Sequence, residues 1–311
     1  MSAPQVTVVV PTRNRSAMLR QALRSALDQA GVDIEVIVVD EASSDDTQDV
    51  IREVGDERVS VLRNDEPKGP AGARNAAAAR ARGEWIAFLD DDDVLAPDNL
   101  RTQTAGAAGS GAVLAYSGRV EVDERMRAVH RTRPAAPHGL ARALLSNNPI
   151  GGPSGVLVRA ATFEEVGGFD EAFHGLEDWD LWVRIAGTGP AHVSQEALMA
   201  YRRHPLNETV TRVDEVTEEF GRLRQKHAAA AAEAGAEFGA DWLRRWTASR
   251  AIAEGRRLAA AGSYSRQALS DRNPRDFARA AAALTGPRLQ RIGQAIEART
   301  TPQPEWLERY A

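Results

Sequence analysis

Four consecutive carboxylates, Asp90, Asp91, Asp92 and Asp93, follow directly on the apolar run Trp85-Ile86-Ala87-Phe88-Leu89. Adjacent carboxylates repel one another, and a cation relieves that repulsion. Hard oxygen ligands of this kind suit Mg²⁺ or Mn²⁺, ions that often bridge a protein carboxylate to substrate phosphates. The plainer reading is a solvated acidic turn capping a helix that starts near Pro97. Position favours the metal: a run just past the carboxyl end of a buried strand lies where open α/β sheets bind their ligands.

That placement depends on the elements around it. Trp85–Leu89 shows no alternation, as in a strand covered by helices on both faces. Val6–Val10 is a β-branched run that reads as a first buried strand, ended by Pro11. Ser16 is placed to cap a helix over 17–29, where Met18, Leu19, Ala22, Leu23, Ala26 and Leu27 recur at helical spacing. A second strand over Ile34–Val39 runs into the turn Asp40–Thr47, and a helix to about Val54 follows. A third strand, Val59–Arg63, and an alanine-rich helix, Ala73–Ala81, complete the approach to Trp85. Strand and helix alternate throughout, which predicts a parallel sheet with right-handed crossovers.

Beyond the acidic run the pattern changes. Ala112–Tyr116 and Arg119–Val122 read as short strands joined by a Ser117-Gly118 turn. Gly155–Val158 reads as a strand, Phe163–Val166 as a short helix stopped by Gly167-Gly168, and Leu176–Ile185 as a further helix. After His204-Pro205 alanine and arginine dominate, and helices are expected over 213–234, 241–261, 277–284 and 288–296. The break between His204 and Arg212 divides the chain into residues 1–207, an α/β domain, and 208–311, a helical region. Trp242, Leu243, Trp246 and Ile252 suit that region for packing on the first domain or for a contact between copies in a homo-oligomer.

Composition narrows the function. A net charge of -5 supplies no field for polyanions, which weighs against nucleic acid as a partner. The absence of cysteine excludes disulfides and thiolate chemistry. No signal peptide fits Met1–Gln5, and no apolar run approaches the roughly 20 residues of a membrane span. The expected location is the cytoplasm, with at most a peripheral place at a membrane.

Several short motifs, in order, resemble family 2 of the inverting glycosyltransferases, which have the GT-A fold. They are strand-Pro11-Thr12-Arg13-Asn14-Arg15, strand-Asp40-Glu41-Ala42-Ser43-Ser44-Asp45-Asp46-Thr47 and Gly72-Ala73-Arg74-Asn75. Phe88-Leu89-Asp90-Asp91-Asp92-Asp93, Gly167-Gly168-Phe169-Asp170-Glu171, Glu177-Asp178-Trp179-Asp180 and Tyr201-Arg202-Arg203-His204 follow. Each is weak alone, and together they cover roughly residues 5 to 208. The resemblance implies a mixed, mostly parallel sheet with helices on both faces. Its nucleotide-sugar half is expected over about 1–95 and its acceptor half over about 96–207.

The resemblance also implies roles. Pro11, Thr12 and Arg13 line a base pocket that Asp40 and Glu41 close, with Glu41 where an aspartate is usual. Arg74 and Asn75 face the nucleotide, the guanidinium near the diphosphate. Asp45 and Asp46 are helix-cap residues. Asp92 is the expected direct metal ligand, Asp90 or Asp91 holds the ribose or a metal-bound water, and Asp93 is a bystander. His204 completes the metal shell, which tilts the choice toward Mn²⁺ over Mg²⁺. Inverting transfer needs one base standing apart from the metal, and Asp178 at a helix start is that residue, ionised by the helix end. Glu177 orients the acceptor or bonds nearby backbone, Trp179 stacks on the acceptor sugar, and Trp182 is core. The implied substrates are a nucleotide-diphospho-sugar, most simply UDP-linked, and a saccharide, lipid-linked or small-molecule acceptor.

Three other readings compete. A sugar-phosphate nucleotidyltransferase would begin with a glycine-rich loop, which Pro11–Arg15 lacks. A glycoside hydrolase gives no reason for the aspartate run. A non-catalytic nucleotide-sugar-binding protein has no need to keep Asp90, Asp92, Asp178 and His204 together.

Overall fold

The computed structural model describes residues 3–204, 213–239, 243–244, 246–248, 251, 256–271, 274–285 and 301–310. The chain divides into two compact units. The first comprises Met1–Leu144, Asn148–Arg203 and Gln303–Ala311, and the second Leu145–Asn147 and His204–Pro302.

A sheet of nine strands forms the first unit. Its strands are β1 (Val6–Thr12), β2 (Ile34–Glu41), β3 (Val59–Asn64), β4 (Trp85–Phe88), β5 (Val94–Leu95), β6 (Leu114–Val122), β7 (Ala128–Thr132), β8 (Leu157–Arg159) and β9 (Ala191–Arg202). They run in the order β3-β2-β1-β4-β8-β6-β9-β5, with β7 paired to β6. The first half, β3-β2-β1-β4, is parallel throughout. In the second half β8 runs antiparallel to β4 and β6, while β9 lies parallel to β6. Helices α1 (Ser16–Leu27), α2 (Thr47–Val54) and α3 (Gly69–Ala78) are the crossovers of the parallel half. The β-branched runs of β1 and β2 are buried on both faces, as their lack of alternation requires.

Register places the chemistry on one edge. Thr12 is opposite Asp40, so β1 and β2 finish together, and β4 ends opposite Val9, which sets the acidic run beside the last residues of β1. The Leu89 N–H still bonds to the Val9 carbonyl at 3.0 Å, which carries the pairing up to the acidic run. The remaining helices of the unit are α4 (Asn99–Ser110), α5 (Leu140–Leu144), α6 (Ala160–Glu165) and α7 (Glu177–Ala186).

The second half of the sheet departs from the sequence reading. Residues 114–122 form one strand, with no Ser117-Gly118 turn dividing them. Those two residues mark register shifts against β9 instead. A Cβ on Gly118 would stand 2.8 Å from the Glu196 carbonyl oxygen, so glycine serves there to admit a neighbouring backbone. The twelve-residue β9 and the short β5 and β7 carry too little alternation to be read locally. Ser16 opens α1 but provides no cap; Asp45 accepts its N–H at 3.1 Å and that of Thr47 at 3.1 Å, serving both helices.

The chain's last described segment, Glu305–Tyr310, belongs to the first unit and not with the helices before it. Leu307 and Tyr310 are buried there among Val94, Val120, Val122, Met126, Ala128 and Ala200. The second unit holds α8 (Val213–Lys226), α9 (Ala228–Glu233), α10 (Arg257–Asp271) and α11 (Pro274–Thr285). Alanines of α10 and α11 pack together around Tyr264. The helix expected over 288–296, much of 241–261, Trp242 and Ile252 lie outside the described residues.

Candidate active site

The acidic run turns back on itself as it leaves β4. The Asp93 N–H bonds to the Asp90 carbonyl at 3.1 Å. Asp90, Asp92 and Asp93 thereby present carboxylate oxygens all within 4.8 Å of one another. Asp93 is buried; its Oδ1 accepts the Arg202 N–H at 3.0 Å, and its Oδ2 is buried with no hydrogen-bond partner. Burial first, then Asp92 and Asp90, push its pKa well above the usual carboxylate range. A buried oxygen without a donor, facing two further carboxylates, fits a hard divalent cation. Asp93 is therefore part of this group and not a bystander, because the turn brings the first and fourth residues of the run together. Among the described residues the group is these three aspartates; His204 is the first residue of the second unit.

Asp91 points elsewhere. Its Oδ2 accepts the Thr12 hydroxyl at 2.7 Å and its Oδ1 accepts Arg15 Nη1 at 3.0 Å. Both oxygens thus accept from the loop after β1, which ties that loop to the acidic run. Burial and then Asp92 push its carboxyl up to about 7, against the pull of Arg15. Arg15 Nη1 also lies 2.9 Å from Asp92 Oδ2. Arg13, expected to serve the nucleotide, is exposed, and Pro11 is half-buried beside it. Arg15 takes the inner position because Asn14 has a φ of 54°, which swings the next side chain inward. Asn14 is itself tied to the loop after β2, its N–H on Ser43 Oγ at 3.0 Å and its Oδ1 accepting the Ser44 N–H at 2.8 Å. Arg15 lies in the Pro11–Arg15 motif, and the charge of the neighbouring run was the signal for it.

Arg74 joins the acidic run to α7. Its Nη2 donates to Asp90 at 2.6 Å and its Nη1 to Glu177 at 2.9 Å. The guanidinium is buried and lies over the Phe169 ring, 5.4 Å from the centroid. Burial opposes its charge, but Asp90 and Glu177 outweigh burial and its pKa is raised. Both of these donor contacts go to carboxylates, so Arg74 bridges two acidic elements in this structure. Asn75 is likewise internal. Its Nδ2 donates to the Phe169 carbonyl at 2.9 Å and to Glu171 at 3.0 Å, while its Oδ1 accepts the Phe169 N–H at 2.9 Å. It staples the Gly168-Phe169 turn, where Gly168 has a φ of 69°.

Glu177 and Asp178 open α7. Asp178 is half-buried, and its Oδ1 accepts the Trp179 N–H at 2.6 Å. Burial, and next the Glu177 charge, hold its pKa well above the ordinary value. This reverses the expectation of a lowered pKa: desolvation and a like charge exceed the field of the helix end. Glu177 is also raised, by burial, against Arg74. Trp179 is fully buried and its indole N–H donates to the Leu144 carbonyl at 2.7 Å, so it is core and presents no face to a sugar. Trp182 is core as expected, its N–H on the Gly151 carbonyl at 3.1 Å.

The two carboxylates that end β2, Asp40 and Glu41, each accept from several protein donors. Asp40 accepts the Ser43 N–H at 2.9 Å, together with Gln48 and Arg63. Glu41 accepts the N–H groups of Lys68 and Gly69 at 2.6 and 2.8 Å, together with Asn64. The longer Glu41 side chain reaches the start of α3 and anchors it. A base in this pocket would have to displace one of these donors.

Comparison with known proteins agrees with the architecture. Residues 7–167 match the family model described as glycosyl transferase family 2, and residues 140–220 match that of a glycosyltransferase-like family 2. The succinoglycan biosynthesis protein ExoO of Rhizobium meliloti is 45% identical over 112 residues, which cover 36% of this chain and 32% of that protein. WfaP of Escherichia coli, named as a UDP-Glc:alpha-D-GlcNAc-diphosphoundecaprenol beta-1,3-glucosyltransferase, is 30% identical over 59% of this chain and 71% of its own length. Among solved structures, the mannosyltransferase PcManGT of Pyrobaculum calidifontis, in complex with GDP-Man and Mn²⁺, superposes with a TM-score of 0.60 at 20% identity. That match covers 100% of this chain and 86% of PcManGT, and it shows a shared GT-A fold.

Proposed function

The chain belongs to glycosyl transferase family 2, and from that premise we propose that it is a metal-dependent inverting enzyme that moves a sugar from a nucleotide-diphospho-sugar to an acceptor hydroxyl. The observation that carries this reading is the Arg74 bridge, which sets Asp90 of the acidic run and Glu177 of α7 on one frame. Asp178 follows Glu177 at the start of α7, outside the three-aspartate group, and is the carboxylate proposed as the base.

Asp90, Asp92 and Asp93 are the residues that would hold the cation, Mn²⁺ or Mg²⁺, with His204 proposed from its motif as a further ligand. Such a cation supplies neutralisation of the charge that develops on the leaving diphosphate. Asp178 takes the proton of the acceptor hydroxyl as its oxygen bonds to the anomeric carbon. The bond from that carbon to the diphosphate oxygen breaks on the opposite face, the nucleoside diphosphate leaves with the electron pair, and configuration inverts. Glu177 keeps the Asp178 carboxylate basic through its like charge, and Arg74 holds Glu177 in place. Thr12 and Arg15 fix the loop after β1, and Asp40 and Glu41 fix the strand ends beside it. UDP is the favoured nucleotide because WfaP, similar over most of its length, is named for UDP-Glc. Among the described residues no helix is long and apolar enough to cross a membrane.

Thermal-shift screening of nucleotide sugars with Mn²⁺ identifies the donor, since a bound ligand stabilises the folded state. Asp178→Asn is then expected to abolish transfer while calorimetric binding of UDP with Mn²⁺ persists; near-normal turnover would remove Asp178 as the base. Asp92→Ala and His204→Ala are expected to weaken Mn²⁺-dependent UDP binding, and an unchanged titration for His204→Ala takes it out of the metal shell.

A further inference from the structure

Arg119 on β6 is a cation without a counter-ion. Among the described residues no carboxylate pairs with it, and its Nε is buried with no hydrogen-bond partner. Arg203, just past the end of β9, pairs with Glu121, while Arg202 bonds to the neutral Gln21 and, like Arg119, has a buried Nε without a hydrogen-bond partner. The Arg119 guanidinium lies over the Tyr201 ring, 5.7 Å from its centroid. On its other side it occupies the space that a side chain at position 151 would fill, and Gly151, with a φ of 86°, leaves that space open. Asn148 holds this glycine, its Oδ1 accepting the Gly151 N–H at 2.9 Å and its Nδ2 donating to the Gly151 carbonyl at 3.2 Å. The loop is therefore built around the guanidinium.

Arg119 lines a small open cleft of about 20 Å³ together with Ser117, Ile150, Ser154, Val156 and Met199. Ser154 ties the cleft to the acidic run, because its Oγ accepts the Asp90 N–H at 3.0 Å. The cleft sits among β6, β8 and β9, across the acidic run from the ends of β1, β2 and β3. A donor nucleotide over those three strands leaves this side for the acceptor. A partly desolvated arginine with no internal counter-ion is costly to keep, and its planar fork matches carboxylate and phosphate oxygens.

We propose that Arg119 anchors an oxyanion, a phosphate or a carboxylate, carried by the acceptor in the cleft beside Ser154. This rests on the glycosyltransferase reading only in naming the ligand an acceptor. The guanidinium selects a charged acceptor over a neutral one, and Tyr201 and Gly151 hold it in one orientation.

Calorimetry on the full chain tests this in two stages. UDP with Mn²⁺ is titrated first, and failure to bind counts against the proposed function and not against Arg119. The protein, with UDP and Mn²⁺ present, is then titrated with N-acetylglucosamine 1-phosphate, glucuronic acid and neutral N-acetylglucosamine. At least one charged probe is expected to bind tenfold or more tighter than the neutral sugar, and which one distinguishes phosphate from carboxylate. Arg119→Gln is expected to erase that preference, and Arg119→Lys to reduce it several-fold because a point charge lacks the fork. Equal binding of all three probes by the wild type, or an undiminished preference in both variants, overturns the proposal. Should Arg119→Gln fail to fold, the Arg119→Lys titration decides alone.

Discussion

Arg15 Nη1 lies 2.9 Å from Asp92 Oδ2, and the same nitrogen lies 3.0 Å from Asp91. A protein cation thus already neutralises one side of the acidic run. A metal ion held as proposed by Asp90, Asp92 and Asp93 would compete with this guanidinium for the Asp92 carboxylate. Charge-assisted hydrogen bonds of this kind contribute about 1.5–3 kcal/mol. Arg15→Ala is therefore expected to tighten Mn²⁺ binding in the absence of nucleotide by roughly tenfold. The same variant is expected to weaken binding of UDP with Mn²⁺, since a released Arg15 can turn to the diphosphate. Calorimetric titrations of metal alone and of UDP with metal read the two effects. Weaker binding of metal alone would show that Arg15 supports the cluster and does not compete with it.

Arg74 is the buried bridge between Asp90 and Glu177. Its removal leaves two carboxylates facing each other without a cation. Breaking a buried pair in this way costs about 3–5 kcal/mol. Urea denaturation of Arg74→Ala should show a fall of that size, and Arg74→Lys should recover only part of it, because one ammonium cannot span both carboxylates. A midpoint within error of the wild type would mean that the bridge carries no stability.

The proposed base, Asp178, could take a proton only when ionised, and burial together with Glu177 raises its pKa. Activity should therefore rise with pH through a midpoint above the ordinary carboxylate range and level off above it. Removing the neighbouring charge in Glu177→Gln lowers the pKa of Asp178, so the acid limb of kcat/KM should move to lower pH. An acid limb that stays in place in Glu177→Gln assigns the titration to another group.

The end of the described chain returns to the sheet. Leu307 is fully buried against strands β5, β6, β7 and β9, and the Tyr310 hydroxyl donates to Asp28 at 3.2 Å. Leu307→Ala should cost about 2–5 kcal/mol, the usual range for a buried leucine. Tyr310→Phe should cost about 1 kcal/mol for the lost hydrogen bond. Chemical denaturation measures both, and wild-type stability in Leu307→Ala would show that the segment is not packed there.

Local pattern alone determined the alternation of strand and helix from Val6 to Leu89 and the place of the acidic run at the end of β4. Both follow from near-neighbour physics: unbroken apolar runs between helices make buried strands, and a carboxylate cluster after such a strand must sit at the sheet's edge. The motif order likewise led to the family. The tertiary structure decided the assignments that depend on partners distant in sequence. Arg74 and Glu177 are 103 residues apart, so nothing local distinguishes a bridge from a phosphate ligand. One left-handed residue, Asn14, exchanged Arg13 for Arg15. A tight turn brought Asp93 together with Asp90 and Asp92, and complete burial made Trp179 a core residue. The pKa of Asp178 depends on how much water and which charges surround it, and only folding settles that balance.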